Sequence, residues 1–397
     1  MGIFMKVCLL LTVQAFYINP QTLLDGHDPQ TPHGGLNPQT PQGGLNPQTP
    51  QGGLVFYPDL KSPLGNLGVK TIKIGLLIQD SASVEARNVA ELAILTANSE
   101  GGYKGRMFEL VVKSMEGPWG TGSKQAVDMI FTDEVLAIVG SHDGRNAHLV
   151  EQATTKSNIT FLSAWSGDPT LSQAFTPWFF NCVPNDNQQA DMLVEEINRK
   201  KFRKVTVVKD DDYDANSALK SFVRKSAEKE SAKPVSIKIV KSERDLSETA
   251  QIIGRMDPDC LLLFTEQVTA DKIICELTEM KISLPVYGPL SLLGESSPLY
   301  SNPGVLGNLL LLSSGDWFLQ EKSEFAAGYH EKFASYPDAT AAYAYDAMMV
   351  MIKAVKAAGA EREKIQKAIM DTDYKGVTGT IKFDEKGNRI CTVVRAK

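Results

Sequence analysis

Residues 116–130, EGPWGTGSKQAVDMI, contain the residue types of a phosphate-binding loop, with Gly117 and Gly122 correctly spaced and Ser123 and Lys124 following. Such a loop needs lysine directly after the last glycine and a hydroxyl directly after the lysine, so that amine and magnesium ligand meet one phosphate chain. Here the two are reversed and Gln125 follows. Because each residue turns a helix by about 100°, the swap aims Lys124 away from the cradle. The glycines read instead as a sharp turn presenting Trp119 to a cleft. The run DDDYD offers Asp210, Asp212 and Asp214 at the first, third and fifth places of a calcium loop. The glycine place holds Ala215 and the closing glutamate place Ser221, so the run reads as a solvated acidic loop. Ser141, His142 and Asp143 are consecutive, but adjacent side chains diverge, triads assemble from distant loops, and no GxSxG turn accompanies them. His142 and His148 have no evident third metal ligand, and no metal or cofactor is expected.

What remains is a set of polar and aromatic residues in loops: Asp80, Trp119, His142, Asp143, Arg145, Asn146, Trp165, Ser166, Asp168, Tyr213 and Glu266. Aromatic faces with a few placed hydrogen-bonding groups describe a small-molecule pocket better than a catalytic constellation, and no enzyme is expected.

The elements that must position these residues are legible. Apolar runs at 72–78, 108–112, 136–140, 159–163, 205–208, 235–240, 260–264, 284–288 and 308–313 alternate with amphipathic stretches. Several are apolar on both faces, which suits parallel strands covered by helices on either side. Val89, Leu92, Ala93, Thr96 and Ala97 form one helical stripe; Tyr345, Met348, Met349, Ile352 and Val355 form another. The pattern predicts an α/β chain of doubly wound, Rossmann-like lobes, closed by a hairpin around DEKGN at 384–388. In such sheets ligands bind beyond the carboxyl ends of strands, where the residues above are found.

The 397 residues suit two lobes, and a net charge of -6 gives no general pull toward nucleic acid or anionic membrane. Residues 1–69 differ in character: a short apolar run behind Lys6 resembles an export signal, and GGLNPQTPQ repeats in full at 34–42 and 43–51. Two prolines per copy remove backbone donors, so the repeat reads as a disordered spacer. No run is long enough for a membrane span. Among five cysteines, without CxxC spacing, Cys182 and Cys260 lie in apolar runs and read as buried thiols, with one disulfide or a reactive thiol as alternatives.

From Val69 onward the chain resembles the periplasmic type I solute-binding proteins of the leucine/isoleucine/valine group. The likeness runs through IKIGLLIQDS, ANSEGGYKGRMFELVV, AIVGSHDGRNAHLVEQ, ITFLSAWSGDPTL, PWFFNCVPNDNQQADMLVEEI, VTVVKDDDYDANS, AAYAYDAM and VTGTIKFDEKGN. It implies two lobes joined by three crossovers, 70–184 with 314–372 and 185–313 with 373–397, closing on a ligand by hinge motion. It implies a monomeric extracytoplasmic or periplasmic protein that delivers a small polar solute, amino-acid-like, aromatic or acidic, to an ABC importer permease. A sensory module or an enzyme on the same scaffold are the alternatives. The positions that supply hydroxyls to an amino-acid carboxylate fall on or beside Gly144 and Gly167, and the position of the acid that meets its ammonium falls on Leu290. Glu266 or Asp80 are the expected substitutes, amides at Asp143 to Arg145 could receive an acidic group, and Trp119, Trp165, Tyr213 and Tyr345 would suit a flat portion.

Overall fold

Runs that are apolar on both faces can be stable only where helices cover both, and that is how the chain folds. The computed structural model describes residues 71–141, 143–231, 233–240, 244–293, 309–314, 324–391 and 394–396. The export-signal run, the repeat and His142 lie outside them.

The first sheet is parallel, in the order β2-β1-β3-β4-β5, built from β1 (Thr71–Ile78), β2 (Met107–Ser114), β3 (Ala137–Ser141), β4 (Thr160–Ser163) and β5 (Phe179–Asn181). Helices α1 (Val84–Ser99), α2 (Thr121–Phe131) and α3 (Gly144–Lys156) connect the strands. Alternate residues of β1 serve opposite faces: Ile74 and Leu76 pack with α1, whereas Leu77 packs with Met129 of α2 and Val150 of α3. The buried stripe of α1 is Ala86, Val89, Ala90, Ala93, Ile94 and Ala97, rotated from the expected one by the exchange of Leu92 and Thr96 for Ala90 and Ile94. Strand β5 carries no separate signal in the sequence, because its three residues are too few to show a period.

The second sheet runs β13-β10-β9-β8-β6-β7, from β6 (Val205–Asp210), β7 (Pro234–Val240), β8 (Cys260–Phe264), β9 (Val286–Gly288), β10 (Leu309–Ser313) and β13 (Val394–Ala396). Only β13 is antiparallel. Helices α4 (Asp186–Lys200), α5 (Tyr213–Glu228), α6 (Arg244–Met256) and α7 (Gln267–Glu279) surround it. Asn185 caps α4 reciprocally with Gln188, which fixes where the chain turns into the second sheet.

Three helices follow: α8 (Glu324–Phe333), α9 (Ala339–Ala358) and α10 (Arg362–Met370). Helix α9 is buried nearly all round because it serves both sheets. Ala339, Ala342 and Tyr343 join the second sheet's core, while Ala341, Ala344, Met348 and Met351 join the first.

The chain ends differently from the single hairpin expected. A small hairpin of β11 (Tyr374–Gly376) and β12 (Gly379–Ile381) comes first. The DEKGN turn does form, with Asp384 N–H donating to Asn388 O at 2.8 Å and Gly387 at φ 78°. It closes a single bridge, Phe383 with Arg389, and the strand that follows pairs with β10 instead. Among the described residues no helix is long and apolar enough to cross a membrane.

Candidate functional site

In each sheet one strand has neighbours whose connections leave in opposite directions, opening a crevice at its carboxyl end. In the first sheet this is β1, between β2 and β3; in the second it is β6, between β7 and β8. Both crevices are stitched by a side chain bonding an amide. Asp143 N–H donates to Gln79 Oε1 at 3.2 Å, joining the ends of β3 and β1, and Glu266 N–H donates to Asp210 Oδ2 at 2.6 Å, joining the ends of β8 and β6.

The two crevices meet. Gly144 N–H, in the first turn of α3, donates to Asp214 Oδ1 at 3.0 Å, and Tyr213 Oη donates to Asp168 Oδ2 at 2.7 Å. Gly144 allows this approach, because a Cβ there would lie 2.9 Å from Asp214 Oδ1 and 3.0 Å from Ser166 Oγ. Asp168 is the hub. Its Oδ1 accepts Thr170 N–H at 2.8 Å and Thr170 Oγ1 at 2.7 Å, and its Oδ2 lies 3.0 Å from His148 Nε2. Beside it, Asp186 accepts Ser217 Oγ at 2.7 Å and donates its amide to Gly167 O at 2.8 Å.

Crowding of carboxylates sets the electrostatics. Burial would raise Asp168, but bonds from His148, Thr170 and Tyr213 outweigh it and bring its pKa down to about 2. His148 is pushed up to about 9, chiefly by its bond to Asp168 and then by Glu151, so it is a cation at neutral pH. Burial raises Tyr213 to about 12 and Asp214 to about 7; the Gly144 amide opposes the latter shift, and Asp143, Asp212 and Asp168 add to it. Asp186 is raised strongly, by burial first. Positive charge at hand comes from His148, from Arg145, whose guanidinium lies 5.8 Å from the centre of the Tyr213 ring, and, at the end of β6, from the buried Lys209, whose Nζ lies 3.8 Å from Asp211 Oδ1. The arrangement is rich in acceptors and suited to hold a donor-bearing or cationic group. Among the described residues no group of His, Cys, Asp and Glu is placed to hold a metal ion.

Of the residues singled out from sequence, Asp143, Gly144, Arg145, Asn146, Ser166, Gly167, Asp168 and Tyr213 come together here, Asn146 through two bonds to the Asp143 carboxylate at 2.8 Å. Trp165 is half-buried against the second sheet's core. The others stand apart. Asp80 Oδ1 accepts Ser83 N–H and Oγ, both at 3.0 Å, and so shapes the start of α1. Trp119 is 80% exposed rather than turned inward, above glycines that do bend sharply, Gly117 at φ 134° and Gly120 at φ 93°. Leu290 is buried in the second core, its amide held by Gln189 Oε1 at 2.7 Å. Tyr345 packs on Phe325 with ring centres 4.8 Å apart, in the first sheet's core. The Glu266 side chain is exposed.

The solvated acidic loop holds for Asp211 and Asp212, which are exposed, but the run also makes specific bonds. Asp212 caps α5 by accepting Ala215 N–H at 2.7 Å, Asp210 binds the Glu266 amide, and Asp214 faces α3. The Gly144 amide, expected to be open to an acidic solute, donates to that same carboxylate. Asp186, Asp214 and His148 were missed. The signal for Asp214 was its place just past the end of β6, which outweighs its poor fit to a calcium loop. Cys182, Cys260, Cys275 and Cys391 are free thiols, and burial pushes Cys182 and Cys260 up to about 12. At the ends of β1 and β2 there is also an open groove of about 340 Å³ lined by Ser81, Ser83, Arg87, Lys113 and Ser114 among others.

A family model described as periplasmic binding protein matches residues 71–395. The fold is similar to that of the branched-chain amino acid transporter substrate-binding protein LivJ of Streptococcus pneumoniae, solved with isoleucine. That likeness has a TM-score of 0.72 at 22% identity and covers 82% of this chain and 95% of that one. A solute-binding protein of an ABC transporter from Rhodopseudomonas palustris, solved with 3,4-dihydroxybenzoic acid, matches with a TM-score of 0.72 at 17% identity, over 81% and 91% of the two chains. Glutamate receptor 3.7 of Arabidopsis thaliana is 29% identical over 135 residues, which is 34% of this chain and 14% of the receptor.

Proposed function

The chain belongs to the periplasmic binding protein family, and from that premise we propose that it is an extracytoplasmic solute-binding protein that closes on a small polar organic molecule and delivers it to an ABC importer. The observation that carries the proposal is the meeting of the two strand-end crevices, where Gly144 and Asp168 of one half face Asp214 and Tyr213 of the other. A solute lodged between them touches both halves, and its preference for the closed arrangement drives the motion.

The neighbouring charges favour an amine on that solute. A buried ammonium is costly without a carboxylate partner. Leu290 offers none, whereas Asp168 is an anion and Asp214, at about 7, ionises beside a cation. A free acid would have to displace Asp214 from the Gly144 amide. The Tyr213 ring and Trp165 provide faces for a flat portion. Calorimetric titration of protein stripped of bound small molecules, against amines, amino acids, aromatic acids and nucleosides, tests this. Saturable binding is expected among the amine-bearing compounds; no heat and no thermal stabilisation from any class would overturn the reading.

Sensing by the same closure is the second reading, supported by the partial match to a receptor. Uptake of the identified solute by cells carrying or lacking this protein separates the two, since only delivery to an importer makes uptake depend on it.

A further inference from the structure

The chain passes between the sheets after β5, after β10, and again before β13, and these passages converge on one side chain. Arg389 is 1% exposed. Its Nη1 donates to Cys182 O at 2.8 Å, in the passage after β5. The same nitrogen donates to Thr378 Oγ1 at 2.9 Å, and Nη2 donates to Thr378 O at 2.9 Å and Thr380 O at 3.0 Å. Thr378 O also accepts Ser314 Oγ at 2.9 Å, which brings in the passage after β10. Arg389 itself leads toward β13, and its own carbonyl accepts Gln188 Nε2 at 2.9 Å, from the first turn of α4.

The opposing charge is Asp346 of α9, fully buried and separated from the guanidinium by one hydroxyl. Thr378 Oγ1 donates to Asp346 Oδ2 at 2.6 Å while accepting from Arg389, and the amides of Val377 and Thr378 donate to the same carboxylate at 2.8 and 2.7 Å. Every partner of the guanidinium fork is fixed, four of its bonds running to main-chain carbonyls, so the fork dictates where those passages lie.

We infer that Arg389 is a positioning residue for closure, a pin that holds the passages between the sheets in one register, with Thr378 as the joint coupling it to Asp346; the motion it serves rests on the proposed binding function. A pin of this kind acts at a distance. Loosening it should free the contact between Gly144 and Asp214, which none of its atoms touches.

Backbone hydrogen exchange tests this without any solute, so its failure is distinct from failure of the titration above. In the wild-type chain the Val183, Val377 and Thr378 amides should exchange only through global unfolding; faster exchange there would overturn the pin. Thr378→Val keeps the volume and deletes the hydroxyl. It should raise exchange at Cys182, Val183 and Asn185, at Ser314 and at the Gly144 amide by roughly tenfold or more, with β1 and β6 unchanged, a pattern of sub-global opening. Thr378→Ser should restore protection, and Arg389→Lys, which keeps the charge but loses the fork, should behave like Thr378→Val. Wild-type exchange at Gly144 in both weakened variants, or uniformly faster exchange across both sheets, would reduce Arg389 to an ordinary core residue and sink the proposal.

Discussion

Polar groups join the two halves in two regions, built in opposite ways. At the crevices the bonds link side chains, or a side chain and one amide, and involve groups that titrate between about 7 and 9: Asp214 at about 7 and His148 at about 9. At the crossings Arg389 donates to main-chain carbonyls in a buried core and Asp346 accepts from main-chain amides. A side-chain contact breaks by rotation of a few torsions, whereas a carbonyl moves only with the chain. The first region is therefore suited to opening and the second to holding, and variants in each should fail differently.

The largest effect belongs to the crossings. Arg389→Met leaves the Asp346 carboxylate buried without its counter-charge, a change that costs about 3–5 kcal/mol when one partner of a buried pair is removed. Thermal and urea unfolding should show a loss of that order. Adding Asp346→Asn should recover a measurable part of it, because the stranded charge is then gone. If the double variant is as unstable as the sum of the singles, the two groups are not coupled through Thr378, and the contrast with the crevices fails.

At the crevices the loss should appear in affinity. Gly144→Ala places a methyl 2.9 Å from Asp214 Oδ1 and 3.0 Å from both Asp168 Cβ and Ser166 Oγ, wedging the halves apart. Solute affinity should fall about tenfold, roughly 1.4 kcal/mol, with little change in unfolding. Gly328→Ala in α8, where a methyl meets nothing within 4 Å, is the matched control and should leave affinity intact. Equal effects from both substitutions would remove Gly144 from the site.

The sheets were readable because a buried parallel strand must be apolar on both faces, and one buried run after another announced itself. The crevices were partly readable for a related reason. Once the strands were placed, their carboxyl ends selected Asp143, Ser166, Asp168 and Tyr213 by geometry alone, whereas Gly144 came only through the family resemblance. Asp214 was discounted because a run of acids in isolation looks solvated, and only the approach of α3 makes it a partner. Arg389 and Asp346 left no local trace. An arginine after DEKGN reads as surface, and its burial depends on passages more than 200 positions earlier, such as Cys182. Trp119 failed the other way, since glycines that permit a sharp turn do not say which side of it the ring will take.

The smallest expected effect is the dependence of stability on pH, and at the crevices its sign follows group by group. Asp214 is held above its ordinary 3.8, at about 7, so the folded chain retains a proton there that the unfolded chain has released. Its contribution is therefore fullest below pH 4 and declines as pH rises through 7. Asp210, at about 6, declines likewise. His148 binds its proton more tightly folded than unfolded, so its contribution is complete below about 6.5 and is lost as pH rises through 9. Asp168, held down to about 2, contributes above 3.8 and loses that only in strong acid. Between pH 5 and 9 these terms all point downward or stay flat, and the melting temperature should fall by about 2–4 °C per kcal/mol lost. Asp214→Asn should flatten the part between pH 5 and 8, and His148→Gln the part above 7. Should Asp214→Asn follow the wild-type curve throughout, the carboxylate facing Gly144 is not the crowded one, and the crevices lose the feature that sets them apart from the crossings.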